Sequence, residues 1–258
     1  MADLKIELLD WQKKVWADPT RFRVVAAGRR CGKSRLAAWL LIVNALQADK
    51  PNSHVFYVAP TQGQARDIMW GLLIELGHPV IRSSHINNMQ ITLINGATIS
   101  LKGADRPDTM RGVSLKFLCL DEYADMKPEV FEEILRPALA DQKGSCLFIG
   151  TPKGRNHFYD LYKYAELSED DPTFSAWHFT SYDNETLDPE EINIAKRVCQ
   201  PTPSNKSSWL LSRTKALRCL KKSGYRLAQN LLVMVIIILL LTSLVSKMFL
   251  RRKETQAD

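Results

Sequence analysis

Three observations predict an α/β domain with a mostly parallel sheet covered by helices on both faces. Short apolar runs alternate with apolar-periodic stretches of good helix formers. The first run passes into its helix through a Gly-rich turn, Gly28-Arg29-Arg30-Cys31-Gly32-Lys33-Ser34. A pair of alternating β-rich segments is joined by Asn95-Gly96, which marks a β-hairpin inserted in the alternation, because both turn residues tolerate positive φ. In chain order the elements are a strand at Arg23 to Ala27, a helix from about Ser34 to Leu46, and a strand at His54 to Ala59 stopped by Pro60. A helix from Gln62 to Leu76 follows, then the hairpin of Met89 to Ile94 and Ala97 to Lys102. Phe117 to Leu120 is a further strand, Glu129 to Leu139 a helix, Cys146 to Ile149 a strand and Asn156 to Leu167 a helix. The sequence contains no internal repeat.

Composition bounds the class. The 258 residues carry 35 Lys and Arg against 28 Asp and Glu, a net +7, with 45% hydrophobic residues. Such a chain is neither disordered nor collagen-like, and it is long enough for a sizeable core. Cys31, Cys119, Cys146, Cys199 and Cys219 are scattered, with no C-x-x-C pair, so neither a zinc site nor a disulfide framework is expected, and a reducing cytosol fits. The N-terminus is acidic where a secretion signal would be basic and then apolar. The charge is uneven: residues 200–258 hold eleven basic residues and two acids, a net +9, which leaves −2 for residues 1–199. The basicity belongs to a tail, and the body must be read on its motifs.

The turn at Gly28 to Ser34 has the parts of a phosphate-binding loop. Small residues let successive backbone N–H groups face a phosphate, Lys33 would reach the β and γ oxygens of a nucleoside triphosphate, and the Ser34 hydroxyl would ligate Mg²⁺. Ala27 stands where the first glycine of G-x-x-x-x-G-K-[ST] is expected, one position before Gly28. The apolar strand ending in Asp121-Glu122 puts carboxylates at the carboxyl end of a sheet strand, where ligands of open α/β sheets bind. Asp121 is expected to hold Mg²⁺ through water, and Glu122 to orient and deprotonate an attacking water. Together these motifs give a P-loop NTPase of the ASCE or RecA-like kind.

Three further segments admit two readings each. Ile149-Gly150-Thr151-Pro152-Lys153-Gly154 has a hydroxyl at a strand end, where helicase-like ATPases sense the γ-phosphate, and it is equally what a Pro-Gly turn would need. Gln12, in Leu9-Asp10-Trp11-Gln12, can make two hydrogen bonds with an adenine edge, while Trp11 suits the core better than an adenine stack. The polar loop Gly103 to Gly112 either presents an arginine to phosphate or is a solvated charge run.

The ordered set Leu9-x-x-Gln12, Gly28-Arg29-Arg30-x-Gly32-Lys33-Ser34, Tyr57-Val58-Ala59-Pro60-Thr61, Arg111-Gly112, Leu120-Asp121-Glu122, Gly150-Thr151-Pro152-x-Gly154 and Thr180-Ser181-Tyr182-Asp183-Asn184 resembles the ATPase half of the large terminase subunit of tailed bacteriophages. The resemblance covers about residues 5–198. It implies ATP and Mg²⁺ as cofactors, with Gln12 and Gly28, Arg29, Arg30, Cys31, Gly32, Lys33 and Ser34 on the nucleotide and Ser34 and Asp121 on the metal. It implies Glu122 as catalytic acid, Thr151 as coupling residue and Arg111 as an arginine finger entering a neighbouring subunit's site. The activity implied is ATP hydrolysis that drives packaging of double-stranded DNA into a procapsid. The partners implied are a homo-oligomeric ring, the portal and the small terminase subunit. An off-pattern, Arg-rich phosphate loop such as the one after Ala27 is ordinary for that family.

The family continues into a nuclease domain built on clustered Asp residues, whereas Asp258 is the only Asp here after Asp188, so no nuclease site is expected within this sequence. The organisation expected is an ATPase domain over 1–198, a linker over 199–212 and a basic tail over 213–258. In the tail, Leu231 to Leu250 carries a single charge, Lys247, over a length that suffices to span a bilayer. A transmembrane helix is expected at about 227–250, with the body in the bacterial cytoplasm. The break at Cys199 fits a truncated, frameshifted or fused prophage gene. The alternatives to a packaging ATPase are a catalytically idle, membrane-tethered remnant that binds nucleotide and a helicase-like ATPase, the latter short of residues for a second motor domain.

Overall fold

The structure, a computed structural model, describes residues 6–50, 52–167, 171–188 and 190. The linker at 199–212, the basic tail and the span expected at 227–250 lie outside the described residues. Among the described residues no helix is long and apolar enough to cross a membrane.

Eight strands form one sheet: β1 (Phe22–Ala27), β2 (His54–Ala59), β3 (Ile81–His85), β4 (Gln90–Leu93), β5 (Thr98–Gly103), β6 (Leu115–Asp121), β7 (Ser145–Gly150) and β8 (Phe174–Phe179). Their spatial order is β3-β4-β5-β2-β6-β7-β1-β8. The pairs β5·β2, β2·β6, β6·β7, β7·β1 and β1·β8 are parallel, and only β3·β4 and β4·β5 are antiparallel. The mostly parallel sheet with an inserted hairpin is therefore as the sequence predicts.

The apolar runs are continuous because both faces of the central strands are covered. In β1, Phe22, Val24 and Ala26 pack on one side with Leu118, Leu120, Phe148 and Phe158, while Val25 and Ala27 pack on the other with Leu36, Leu40, Tyr57 and Met69. The second side is covered by α1 (Asp10–Ala17), by α2 (Lys33–Leu46) and by α3 (Gln62–Ala65), which runs through a π-helical stretch, Arg66–Trp70, into α4 (Gly71–Gly77). The first side is covered by a π-helical stretch, Val130–Leu135, that leads into α5 (Arg136–Ala138), and by α6 (His157–Leu167). The sequence reads each π-containing helix as one regular helix, since periodicity does not register a single inserted residue.

At the hairpin tip Asn95 serves two elements. Its Oδ1 accepts from Ala97 N at 3.2 Å, which shapes the turn, and its Nδ2 donates to Ala45 O at 2.9 Å and Leu46 O at 3.2 Å, two carbonyls at the end of α2. Strands β3 and β8 and helix α1 are absent from the sequence-based reading.

Candidate active site

Four adjacent strands, β6, β7, β1 and β8, end side by side, and each delivers a motif. The parallel registers put Asp121 opposite Ile149, Ala26 opposite Gly150, and Ala27 opposite Phe179. Asp121-Glu122, Thr151, the loop Gly28 to Gly32 and the segment from Thr180 thus meet at one edge, although they are scattered over the sequence. The loop runs from the end of β1 to the start of α2, so the positive end of a 14-residue helix faces the same place. Gly32 has φ +92°, and a Cβ there would meet Gln12 Nε2 at 2.8 Å, so both conformation and space require glycine.

Lys33 joins the motifs. Its Nζ donates to Thr151 Oγ1 at 2.8 Å and to Ala27 O and Gly28 O, each at 3.2 Å, and it lies 3.6 Å from Glu122 Oε1. Thr151 in turn donates to Glu122 from its N at 3.2 Å and its Oγ1 at 3.3 Å. A cation, a hydroxyl and a carboxylate from three separated segments form one hydrogen-bonded chain. Glu122 adopts φ +51°, an uncommon conformation for a residue other than glycine. Gly150, opposite it on β7, has room for no Cβ without crowding Glu122 Cα at 3.2 Å.

Asp121 is buried. Its Oδ2 accepts from Tyr57 OH at 2.5 Å and its Oδ1 accepts from Glu122 N at 2.9 Å. Burial pushes its carboxyl up, the Tyr57 hydrogen bond pulls it down, and the neighbouring Glu122 pushes it up again. Burial also raises Tyr57, with the Asp121 charge adding to it, so Tyr57 is a donor throughout the ordinary pH range. Among the described residues Asp121 has no ion pair, which suits a carboxylate that waits for a cation. A carboxylate and a hydroxyl are donors Mg²⁺ takes when phosphate oxygens and water complete its shell, so by their chemistry Asp121 and Ser34 suit that ion. Among the described residues no three His, Cys, Asp or Glu side chains gather as a metal cage.

Gln12 is fully buried: its Oε1 accepts from Leu9 N at 2.8 Å and its Nε2 donates to Gly32 O at 2.9 Å. Its amide braces the loop, so its oxygen and one N–H are already engaged within the protein, where the sequence expects two bonds to an adenine edge. Trp11 is core, as the sequence reading prefers, and its Nε1 donates to Cys31 O at 3.1 Å. Cys31 is buried, and burial pushes its thiol up to about 12. Arg29 and Arg30 are exposed at the loop. Arg111 stands apart from the constellation, exposed, with its Nε on Asp108 Oδ1 at 3.1 Å. The structure therefore gathers Gln12, the loop residues, Asp121, Glu122 and Thr151, and it leaves Arg111 outside. Tyr57, Ser181 and Asn184, which sequence reasoning gave no role, also belong to the site. All three stand inside the ordered motifs of the sequence, Tyr57 in Tyr57-Val58-Ala59-Pro60-Thr61 and Ser181 and Asn184 in Thr180-Ser181-Tyr182-Asp183-Asn184, and that position is the one signal the sequence offers.

The family model for the N-terminal part of the T4-like virus type of terminase large subunit matches residues 24–206. The terminase large subunit of Escherichia phage T5 is 33% identical over 184 residues, which cover 69% of this chain and 41% of that protein. That of Thermus virus P23-45 is 28% identical over 220 residues, 70% of this chain and 45% of that protein. The chain thus spans less than half the length of these relatives. In fold it is similar to the ATPase domain of the large terminase of Thermus phage P74-26, with a TM-score of 0.68 and 24% identity, covering 80% of this chain and 93% of that one. It is also similar to the large terminase of a thermophilic bacteriophage in complex with ADP, with a TM-score of 0.60 and 19% identity over 74% of this chain and 50% of that one.

Proposed function

The chain belongs to the terminase large-subunit family, matching its N-terminal domain, and from that premise we propose that it binds ATP where β6, β7, β1 and β8 end and hydrolyses it to drive double-stranded DNA into a procapsid. The observation that carries this reading is the chain from Lys33 through Thr151 to Glu122. A phosphate-binding cation, a hydroxyl and a candidate base are already assembled at one strand edge.

The loop from Gly28 to Ser34 cradles the phosphates, with Gln12 behind it. Asp121 and Ser34 would hold Mg²⁺, which supplies charge neutralisation on the phosphate oxygens. Lys33 has three N–H groups, and all three are engaged with Ala27 O, Gly28 O and Thr151 Oγ1. To meet a γ-phosphate it must release some of these bonds, which frees Thr151 to report the phosphate to Glu122. Glu122 then orients an attacking water and takes its proton. The finger is Arg111 of a neighbouring copy in a homo-oligomeric ring. The portal and small terminase subunit are the ring's partners in the host cytoplasm. Residues 1–198 carry this machinery, 199–212 link it to the tail, and 227–250 remain a candidate membrane span.

The test is Glu122→Gln. We expect ATP binding, measured by titration calorimetry, to stay within about threefold of the wild type while turnover falls by about 10² to 10⁴, the usual worth of a positioned base. A similar loss in binding and turnover would remove Glu122 from the base role.

A further inference from the structure

The segment after β8 holds the phosphate loop from the side, and the reading above gives it no role. Gly28 N donates to Phe179 O at 3.1 Å, Ser181 Oγ donates to Arg29 O at 2.9 Å, Asn184 Nδ2 donates to Arg30 O at 2.7 Å, and Cys31 Sγ donates to Thr180 O at 3.2 Å. Four consecutive loop residues are each tied by one bond to residues 179–184. The holding segment is itself fixed before it meets the loop. Asp183 Oδ2 accepts from Thr180 N at 2.7 Å and Thr180 Oγ1 at 2.8 Å, while Asn184 Oδ1 accepts from Thr186 N at 3.1 Å and Thr186 Oγ1 at 2.7 Å. Asn184 is buried, and Gly28 sits so close that a Cβ would be 3.1 Å from Ser181 N and Ser181 Oγ.

Two of these bonds end on carbonyls of the loop, and peptide geometry converts that into a direction. In a trans peptide the C=O of one residue and the N–H of the next point opposite ways. Pinning Arg29 O and Arg30 O toward Ser181 and Asn184 turns the N–H groups of Arg30 and Cys31 away from the segment. Arg30 has φ +56°, a conformation that persists only where surroundings impose it, and Asn184 grips the carbonyl of that residue. Resting on the ATP-binding reading above, we propose that Asn184, assisted by Ser181, is a positioning residue. It sets the Arg29–Arg30 and Arg30–Cys31 peptides so that their N–H groups face a bound phosphate.

Asn184→Asp tests this in the full chain. The change keeps size and the acceptor for Thr186, removes the donor to Arg30 O, and sets a carboxylate oxygen against a carbonyl oxygen. Without nucleotide, amide hydrogen exchange at Arg30 to Lys33 should quicken by about tenfold, with β1 and β7 unchanged. With nucleotide, Kd for both ATP and ADP should rise by about tenfold while kcat at saturating ATP stays within about threefold, since the peptides grip ground and transition states alike. Should Asn184→Asp not fold, Ser181→Ala removes one donor without adding charge, and the same pattern is expected at smaller size. Unchanged loop exchange, or unchanged Kd with reduced kcat, overturns the proposal while the ATP reading stands. A wild-type chain that binds no ATP overturns that reading, and the phosphate-facing role goes with it.

Discussion

Tyr57 reaches Asp121 across one strand boundary, because β2 and β6 run in parallel register with Tyr57 opposite Cys119, two residues before Asp121. The phenol gives a buried carboxylate one of its two protein donors and fixes the direction of its other lone pairs. We expect Tyr57→Phe to leave Oδ2 without that partner and to lower stability by about 1–3 kcal/mol. The Mg²⁺ concentration for half-maximal ATP hydrolysis should rise several-fold; a metal titration checks this, and an unchanged midpoint would show that the phenol does not orient the carboxylate. Lys33, Ser34, Asp121, Glu122 and Thr151 are legible in the sequence because their chemistry is in their own side chains and each sits at or just past a strand end or at the start of α2. Tyr57 and Asn184 are not legible in that way. One acts through sheet register, the other through a backbone carbonyl of a residue 154 positions away, and neither partner is visible as a pattern of residue types.

At the scale of elements, the central strands are legible because burial on both faces writes them as unbroken apolar runs. Strand β3, Ile-Arg-Ser-Ser-His, lies at one edge of the sheet with four of its five residues exposed, so no run marks it. Strand β8 lies at the other edge, half-buried throughout, and its Phe-Ser-Ala-Trp-His-Phe order carries no alternation that sets it apart from a loop. The hairpin is legible from Asn95-Gly96, but its docking is not, since the partners are the last carbonyls of α2. Asn95→Ala should therefore loosen two elements at once, with a loss of about 1–2 kcal/mol in urea unfolding. ATP affinity should be unchanged, because the opposite end of α2 faces the site. A weakened Kd would mean that the hairpin and the phosphate loop are coupled through α2.

At the scale of the whole molecule, the proposed finger depends on how Arg111 is held. It is exposed and, among the described residues, paired only with Asp108 three residues away, a surface pair of small worth, so little energy would oppose the proposed transfer to another copy's phosphate. Mixing Arg111→Ala with Glu122→Gln protein should regain hydrolysis that neither variant shows alone, because some interfaces in a mixed ring combine an intact arginine with an intact glutamate. An arginine finger is worth about 10³ to 10⁵ in rate, so even a minority of such interfaces is measurable. No recovery in oligomers shown to be mixed would place Arg111 outside catalysis in trans. The sheet order has a further consequence, in the time of synthesis. Strand β1 is bonded on both edges by strands that come much later, Phe22 facing Cys146 on one side and Phe174 on the other. At about 5–20 residues per second on the ribosome, roughly 6–25 s pass between the appearance of β1 and that of its first partner. During that interval every nascent chain carries an apolar strand with both edges open, so the strand that later presents the phosphate loop is first the nascent chain's point of greatest exposure to aggregation.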